Sequence, residues 1–243
     1  MMLELRKICK SYGNLKVLDN VDLSVGRREI VAVVGPSGAG KTTMLQIAGT
    51  LDRPDSGEVV YDGTVISTLN DRRLSEFRNR NIGFIFQFHR LLPEFTAEEN
   101  VAMPAMIGGM SHRAAVEKAR ELLSLLGLDG RLRHKPAEMS GGERQRTAIA
   151  RALVNSPSVV FADEPTGSLD SRNRDEIRSL IAGLRESLDQ TFVIVTHDPS
   201  VSEIADRVVN MADGKICEST KLNQIENGKS ESKSESVADT VAS

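Results

Sequence analysis

Apolar and polar residues alternate in two stretches near the N-terminus, and longer apolar runs recur further along the chain. The alternation at residues 3–8 and 21–25 is typical of antiparallel strands that bury one face. The longer runs favour central strands covered on both faces, as in a parallel sheet. These runs comprise residues 30–34, 82–86, 159–162 and 192–196.

Helical spacing of apolar residues predicts helices between these strands. The predicted helices span residues 41–50, 71–79, 97–107, 112–126, 142–154, 171–187 and 200–205. Tyr-Asp-Gly and Ala-Asp-Gly turns predict two β-hairpins, at 57–67 and 208–217. Together these patterns predict an α/β fold. It has a mixed, mostly parallel sheet with helices on both faces, an antiparallel β-subdomain and an inserted helical subdomain.

Composition and charge bound the domain and its partners. Residues 226–243 are rich in Ser, Lys and Glu and lack periodicity, so we expect a disordered tail there. We expect one domain over residues 2–225, with the helical subdomain at approximately 88–155. The net charge of −3 over 243 residues gives no electrostatic reason to expect nucleic acid as a partner. No run approaches the ~18 apolar residues of a membrane span, so we expect membrane contact only through a partner protein.

A phosphate-binding loop is predicted between the run at 30–34 and the first helix. The segment has the form G-x-x-x-x-G-K-[ST], which is specific when a strand precedes it and a helix follows. Its glycines let backbone N–H groups point at phosphate oxygens, while Lys41 can reach the β- and γ-phosphates and Thr42 can hold Mg²⁺. The predicted nucleotide contacts are Gly35, Pro36, Ser37, Gly38, Ala39, Gly40, Lys41, Thr42 and Thr43.

Two carboxylates follow the apolar run at 159–162. A parallel strand beside the phosphate-binding loop would deliver Asp163 to the Mg²⁺ shell. Glu164 would then lie where it can polarise a water that attacks the γ-phosphate. The sequence therefore predicts a nucleoside triphosphatase.

The segment 139–146, Met-Ser-Gly-Gly-Glu-Arg-Gln-Arg, resembles the signature of ABC-type ATPases, with Met139 in the position of the usual leucine. Ser140 is the expected N-cap of the next helix, whose positive end is a second anion site. In this family two subunits pack head-to-tail around ATP. The resemblance thus implies that ATP held by one copy is capped by four residues of the other, namely Ser140, Gly141, Gly142 and Glu143.

The same resemblance implies roles for residues elsewhere in the chain. Tyr12 would stack on adenine, Gln87 would link Mg²⁺ and water to the helical subdomain, and Asp170 would lie in a loop at the dimer interface. His197 would contact the γ-phosphate. The implied catalytic set is Glu164, His197, Gln87 and Lys41, and the implied metal set is Thr42, Gln87 and Asp163.

Taken alone, three of these residues have simpler interpretations. Tyr12 would be a strand-end tyrosine, Gln87 a solvated loop residue and His197 the cap of a short helix. Their joint register with the other motifs favours the functional roles. The remaining histidines have no metal-ligand partners nearby in sequence, and we expect them at the surface: His89, His112 and His134.

The segment 86–104 resembles the ATPase subunits of lipoprotein-releasing transporters. The resemblance implies a homodimer, peripheral to the cytoplasmic face of the inner membrane, with ATP and Mg²⁺ as cofactors and integral membrane permease subunits as partners. The permease would contact apolar residues after Gln87, and burial in the subdomain core is the alternative for each of them. These residues are Phe88, Leu91, Leu92 and Phe95.

Related ATPases leave other functions open. The same branch contains ATPases of macrolide exporters and of a cell-division envelope complex, and both remain alternatives. Non-transport ABC proteins usually carry long coiled-coil insertions or two ATPase halves. Neither feature fits a 243-residue chain with a single set of motifs.

Overall fold

Two sheets form the framework of the computed structural model, which describes residues 1–222. The tail predicted at 226–243 lies outside the described residues. The first sheet is antiparallel and has the order β2-β1-β4-β5. Its strands are β1 (Leu3–Tyr12), β2 (Leu15–Val25), β4 (Ser56–Tyr61) and β5 (Thr64–Val65).

The second sheet is mixed and mostly parallel, as predicted. Its strands, in spatial order, are β10 (Lys215–Lys221), β9 (Arg207–Ala212), β3 (Ile30–Val34), β8 (Thr191–Val195), β7 (Val159–Asp163) and β6 (Ile82–Phe86). Only β10 pairs in the antiparallel sense, through the predicted hairpin with β9. The apolar runs at 30–34, 159–162 and 192–196 therefore form central strands, as predicted. The central position predicted for 82–86 is wrong, because β6 pairs only with β7 and lies at the edge of this sheet within the described residues.

Within residues 1–222 six α-helices connect the strands, and five of them have N-caps with polar side chains. They are α1 (Lys41–Ala48), α2 (Asp71–Asn81), α3 (Ala97–Ile107), α4 (His112–Leu125), α5 (Gly141–Leu153) and α6 (Ser171–Leu188). The helix predicted at 200–205 is wrong in type, because the chain forms a 3-10 helix over Pro199–Glu203. The Asp198 side chain accepts the N–H of Ser200, and the Val201 N–H bonds to the Asp198 carbonyl, which tightens the turn.

Alternate residues of the parallel sheet enter two different cores. Ile30 and Ala32 of β3 pack in a core with apolar residues of α3, α4, α5 and α6. Val31 and Val33 pack in a second core with α1 and the antiparallel sheet. The period-two side-chain pattern of a strand thus explains why the central runs are apolar throughout.

The carboxyl ends of β3, β7 and β8 meet at one edge of the parallel sheet. Val195 pairs with both Val33 and Asp163, so the three strands end in register. In open α/β sheets this edge is where ligands bind. The phosphate-binding loop, the Asp163–Glu164 pair and His197 all follow directly from it.

Candidate active site

The phosphate-binding loop curls around the ammonium group of its own lysine. Lys41 Nζ donates to the carbonyl oxygens of Gly35 and Pro36, at 2.8 and 2.9 Å. Gly40 precedes α1 with φ of 94°, and a Cβ there would lie 2.7 Å from the Val17 carbonyl oxygen, so this position requires glycine. Its lack of a side chain also leaves the N-terminus of α1 without a side-chain cap, so first-turn N–H groups can bind an anion.

Thr42 and Asp163 meet across the site. The Thr42 hydroxyl lies 3.3 Å from each carboxylate oxygen of Asp163. Burial raises the pKa of Asp163, the Thr42 hydrogen bond opposes that shift, and the neighbouring charge of Glu164 adds to it. Together with the Gln87 amide these groups offer oxygen donors in one cleft, which fits a hard cation such as Mg²⁺.

Glu164 is held by groups at the end of β8. Its Oε2 accepts the hydroxyl of Thr196 at 3.0 Å, and its Oε1 accepts the backbone N–H of His197 at 3.0 Å. The same Oε1 lies 2.7 Å from Nδ1 of His197. Glu164 adopts a left-handed backbone (φ 49°), and its own N–H donates to the Val195 carbonyl. These contacts fix the direction of the carboxylate.

A cleft of about 470 Å³ brings all of the predicted catalytic and metal residues together. Its described lining excludes Tyr12, Asp170 and the segment 140–143 of the same chain. The lining comprises Leu15, Val17, Ser37, Gly38, Ala39, Gly40, Lys41, Thr42, Thr43, Gln87, Asp163, Glu164, Val195 and His197. The signature segment therefore lies outside the cleft around the phosphate-binding loop of the same chain.

Tyr12 lies outside this cleft and is held by Asp52, a residue that the sequence patterns did not indicate. Its hydroxyl donates to Asp52 Oδ2 at 2.7 Å, and Lys10 Nζ donates to Asp52 Oδ1 at 3.0 Å. The hydrogen bond to Asp52 is the main reason that the pKa of Tyr12 is raised. Asp52 follows α1, so the turn after the phosphate-loop helix sets the position of the tyrosine ring.

The signature segment begins α5 with a reciprocal cap, and Ser140 is its N-cap as predicted. Ser140 Oγ accepts the Glu143 N–H at 3.2 Å, and Glu143 Oε2 accepts the Ser140 N–H at 2.7 Å. A Cβ on Gly142 would lie 2.3 Å from Asn173 Oδ1. Asn173 in turn donates its backbone N–H to Asp170. The loop that carries Asp170 thus packs against the signature segment of its own chain.

The loop after β6 connects Gln87 to α5. Ser168 donates its hydroxyl to the Gln87 carbonyl at 3.0 Å. Arg151 of α5 donates to the carbonyls of His89 and Arg90, at 2.6 and 2.5 Å. The surface position predicted for His89 is wrong, because left-handed backbone at His89 and Arg90 turns the ring inward, where it is only 9% exposed. Burial lowers the pKa of His89, and the charges of Arg144 and Arg151 lower it further.

Apolar side chains stand in solvent on the other side of this loop. Phe88 is 76% exposed, and Leu92 and Phe95 are also exposed, whereas Leu91 is half-buried. A separate groove of about 410 Å³ lies between α2, α3 and α5, and Arg90 of the same loop lines it. Its lining includes Arg78, Phe84, Phe86, Arg90, Pro104, Ile107 and Arg151.

A glycine-rich loop at the strand edge, a lysine inside it and a carboxylate aimed by the next strand define a P-loop ATPase. The chain matches the family described as "ABC transporter" over residues 18–167. It therefore belongs to that family, as an ATP-hydrolysing subunit of the LolD type. None of the helices described in residues 1–222 is long and apolar enough to cross a membrane.

Curated relatives cover nearly the whole domain. The "Lipoprotein-releasing system ATP-binding protein LolD" of Bacteroides thetaiotaomicron is 58% identical over 215 residues, which are 88% of this chain and 99% of the relative. The protein of that name from Porphyromonas gingivalis is 57% identical over 216 residues, 89% of this chain and 99% of the relative. Among solved structures, the dimeric ATP-binding cassette MJ0796 bound to ADP and Pi has a TM-score of 0.83 at 40% identity. That match covers 91% of this chain and 99% of the solved chain.

Proposed function

We propose that two copies of this chain pack head-to-tail around two ATP molecules and drive an integral membrane permease. The observation that carries the proposal is the capped N-terminus of α5 at Ser140, which lies outside the cleft around the phosphate-binding loop. Both places offer helix N-termini to an anion, and a second copy brings them to the same nucleotide. The dimeric state of the relative MJ0796 supports this arrangement.

In this proposal Glu164 is the general base. Its carboxylate, aimed by Thr196 and His197, accepts a proton from water as the water oxygen attacks the γ-phosphorus, and ADP leaves with the bridging oxygen. Lys41 compensates charge on the β- and γ-phosphates, and His197 contacts the γ-phosphate. Mg²⁺ would be held by Thr42, Gln87 and Asp163, and it supplies charge neutralisation to the phosphate oxygens when bound.

The substrate we propose is lipoprotein, released from the inner membrane toward a periplasmic carrier. The relatives named above carry the lipoprotein-releasing description at 57–58% identity, which favours this function over macrolide export or cell division. The chain would then act at the cytoplasmic face of the inner membrane, bound there by its permease. ATP-dependent transfer of a lipoprotein from proteoliposomes to a soluble carrier tests this, and release that is unchanged without ATP hydrolysis would contradict it.

We place the permease contact at Phe88, Leu91, Leu92 and Phe95 and in the groove that Arg90 of the same loop lines. Exposure of three of these side chains argues against their alternative role as subdomain core. A groove lined by aromatic and aliphatic side chains and by Arg78, Arg90 and Arg151 suits an amphipathic helix with an acidic flank. The loop that carries Gln87 forms one wall, so this contact would reach the catalytic cleft directly.

The head-to-tail model is tested in a background where hydrolysis is blocked. We expect Glu164→Gln to lower phosphate release by at least about 100-fold, because an amide cannot act as the base. ATP should then shift this variant to a dimer on a sizing column. Adding Ser140→Arg should abolish that shift while a fluorescent ATP analogue still binds. Ser124→Arg on the exposed face of α4 is the matched control. A dimer that survives Ser140→Arg would contradict the composite site.

A further inference from the structure

The N-terminus of α5 carries a negative charge at the place where, on the proposed function, it receives the phosphate of a partner's ATP. Glu143 is the third residue of the helix, and one of its oxygens caps the Ser140 N–H at 2.7 Å. The hydrogen bond from the Ser140 N–H lowers the pKa of Glu143 most, the one from Arg131 lowers it next, and the Ser140 hydroxyl adds to the shift. The Glu143 side chain is therefore a carboxylate. A carboxylate there stabilises the helix but repels an incoming phosphate dianion.

The second oxygen of Glu143 has a cation of its own. Arg131 Nε donates to Glu143 Oε1 at 2.7 Å, while Oε2 serves the cap. Arg131 comes from a separate turn between α4 and α5, the 3-10 helix Asp129–Arg131. The two oxygens therefore have divided tasks, one for helix capping and one for an ion pair.

Other cations near this helix end are engaged elsewhere. Arg144 donates to the Met139 carbonyl at 2.6 Å, and Arg146 pairs with Glu176 at 2.7 Å. Within residues 1–222, Arg131 is the cation in hydrogen-bond contact with the Glu143 carboxylate. The Glu143 side chain is 23% exposed, so solvent screens its charge only in part.

We propose that Arg131 is a positioning residue for nucleotide-driven dimerisation. It compensates the charge of Glu143 and holds that carboxylate in the capping geometry, so that the helix end remains attractive to the phosphate of the opposing copy. This inference rests on the head-to-tail arrangement proposed above. A neutral glutamine in place of Glu143 would still accept the Ser140 N–H through its carbonyl oxygen and would need no cation.

A double-mutant cycle in the Glu164→Gln background separates charge compensation from simple structural support. Arg131→Met should raise the ATP concentration needed for half-maximal dimerisation by about tenfold, because it leaves an uncompensated carboxylate beside the phosphate. In the Glu143→Gln background the same Arg131→Met change should have almost no effect. Arg131→Lys, which keeps the charge, should recover most of the loss.

Salt provides a second readout that a structural role would not move. The Arg131→Met defect should shrink as ionic strength rises, because the repulsion is screened. Arg133→Met, two residues away on an exposed side chain, is the matched control, and melting temperatures report folding. An equal Arg131→Met defect in both Glu143 backgrounds, or no defect at all, would overturn the inference. Failure of the Glu164→Gln parent to dimerise with ATP would instead overturn the head-to-tail proposal.

Discussion

Nδ1 of His197 lies 2.7 Å from Oε1 of Glu164, and the backbone N–H of His197 donates to that same oxygen. The contact spans the ends of two neighbouring parallel strands, β7 and β8. One oxygen of the carboxylate is thus held by a single residue through two groups, while the other oxygen is held by Thr196. The direction of the Glu164 carboxylate, the base in our proposal, is set by the residues that directly follow β8, so substitutions there should alter catalysis.

Thr196→Val should lower kcat by about tenfold and leave the KM for ATP nearly unchanged, because it removes a hydrogen bond to Glu164 without touching the phosphate loop. Thr196 Oγ1 also accepts the Asp198 N–H, so a stability loss of about 1 kcal/mol should accompany the change. Steady-state phosphate release measures the first effect and urea unfolding the second. Thr196→Ser, which keeps the hydroxyl, should retain most activity. A Thr196→Val enzyme with wild-type kcat would show that Glu164 does not depend on this contact.

Asp163→Asn should stabilise the protein in the absence of nucleotide and magnesium. Burial and the charge of Glu164 raise the pKa of Asp163, so the folded chain holds its proton more tightly than the unfolded chain. The ionised carboxylate therefore costs stability at neutral pH, and the cost fades as pH falls through the folded and then the unfolded pKa. We expect Tm to rise by about 2–4 °C at neutral pH, with the gain shrinking on acidification.

With saturating ATP and magnesium, the wild type should instead have the higher Tm. The Asp163 carboxylate, a magnesium ligand in our proposal, binds the cation more strongly than the asparagine amide does. Differential scanning fluorimetry with and without ligand measures both signs. Asp175→Asn, on an exposed aspartate of α6, is the control for a generic loss of negative charge. A lower Tm for ligand-free Asp163→Asn would contradict the prediction.

Tyr12→Phe should weaken ATP binding by about threefold, although it keeps the ring, because the hydroxyl that fixes the ring on Asp52 is lost. Asp52→Asn keeps an acceptor for Tyr12 but weakens the charge-assisted contact with Lys10, and a smaller loss should follow. Titration with a fluorescent ATP analogue gives both affinities. Combining the two substitutions should not produce the sum of their effects, since they act through one hydrogen bond. Additive losses would indicate that Asp52 does not act through Tyr12.

Phe88→Asp should prevent co-purification of the ATPase with its permease, because a charge would replace an exposed apolar anchor. Leu125→Asp changes an exposed apolar residue at the end of α4 and should leave the complex intact. Tm values within ~2 °C of wild type would show that surface substitutions of this kind leave the fold unchanged. An intact complex with Phe88→Asp would move the docking site away from this loop.

The pattern of apolar residues along the sequence was sufficient to predict strands that are buried on both faces. Strands β3 and β6 have the predicted bounds, because runs buried on both faces are apolar from end to end. The N-cap at Ser140 was also predicted, and the structure adds Glu143, three residues later, as the second partner of a capping box. The contacts that tune the site could not be predicted, because Tyr12–Asp52 and Arg131–Glu143 join polar residues of separate elements. No periodicity marks such pairs, and the inward turn of His89 depends on two successive left-handed residues that composition does not reveal.

Arg151 connects the far end of α5 to the loop that carries Gln87. It lies eleven residues beyond Ser140 on α5, about 16 Å along the axis at 1.5 Å per residue. Ser140 lies at the N-terminal end of this helix. Near the other end, the Arg151 guanidinium donates to backbone carbonyls of the loop that carries Gln87. A tilt of α5 at Ser140 would therefore displace Arg151 and the loop that it binds. In the proposed head-to-tail dimer, α5 would thus connect the nucleotide of the partner, at Ser140, with the nucleotide of its own chain, at Gln87.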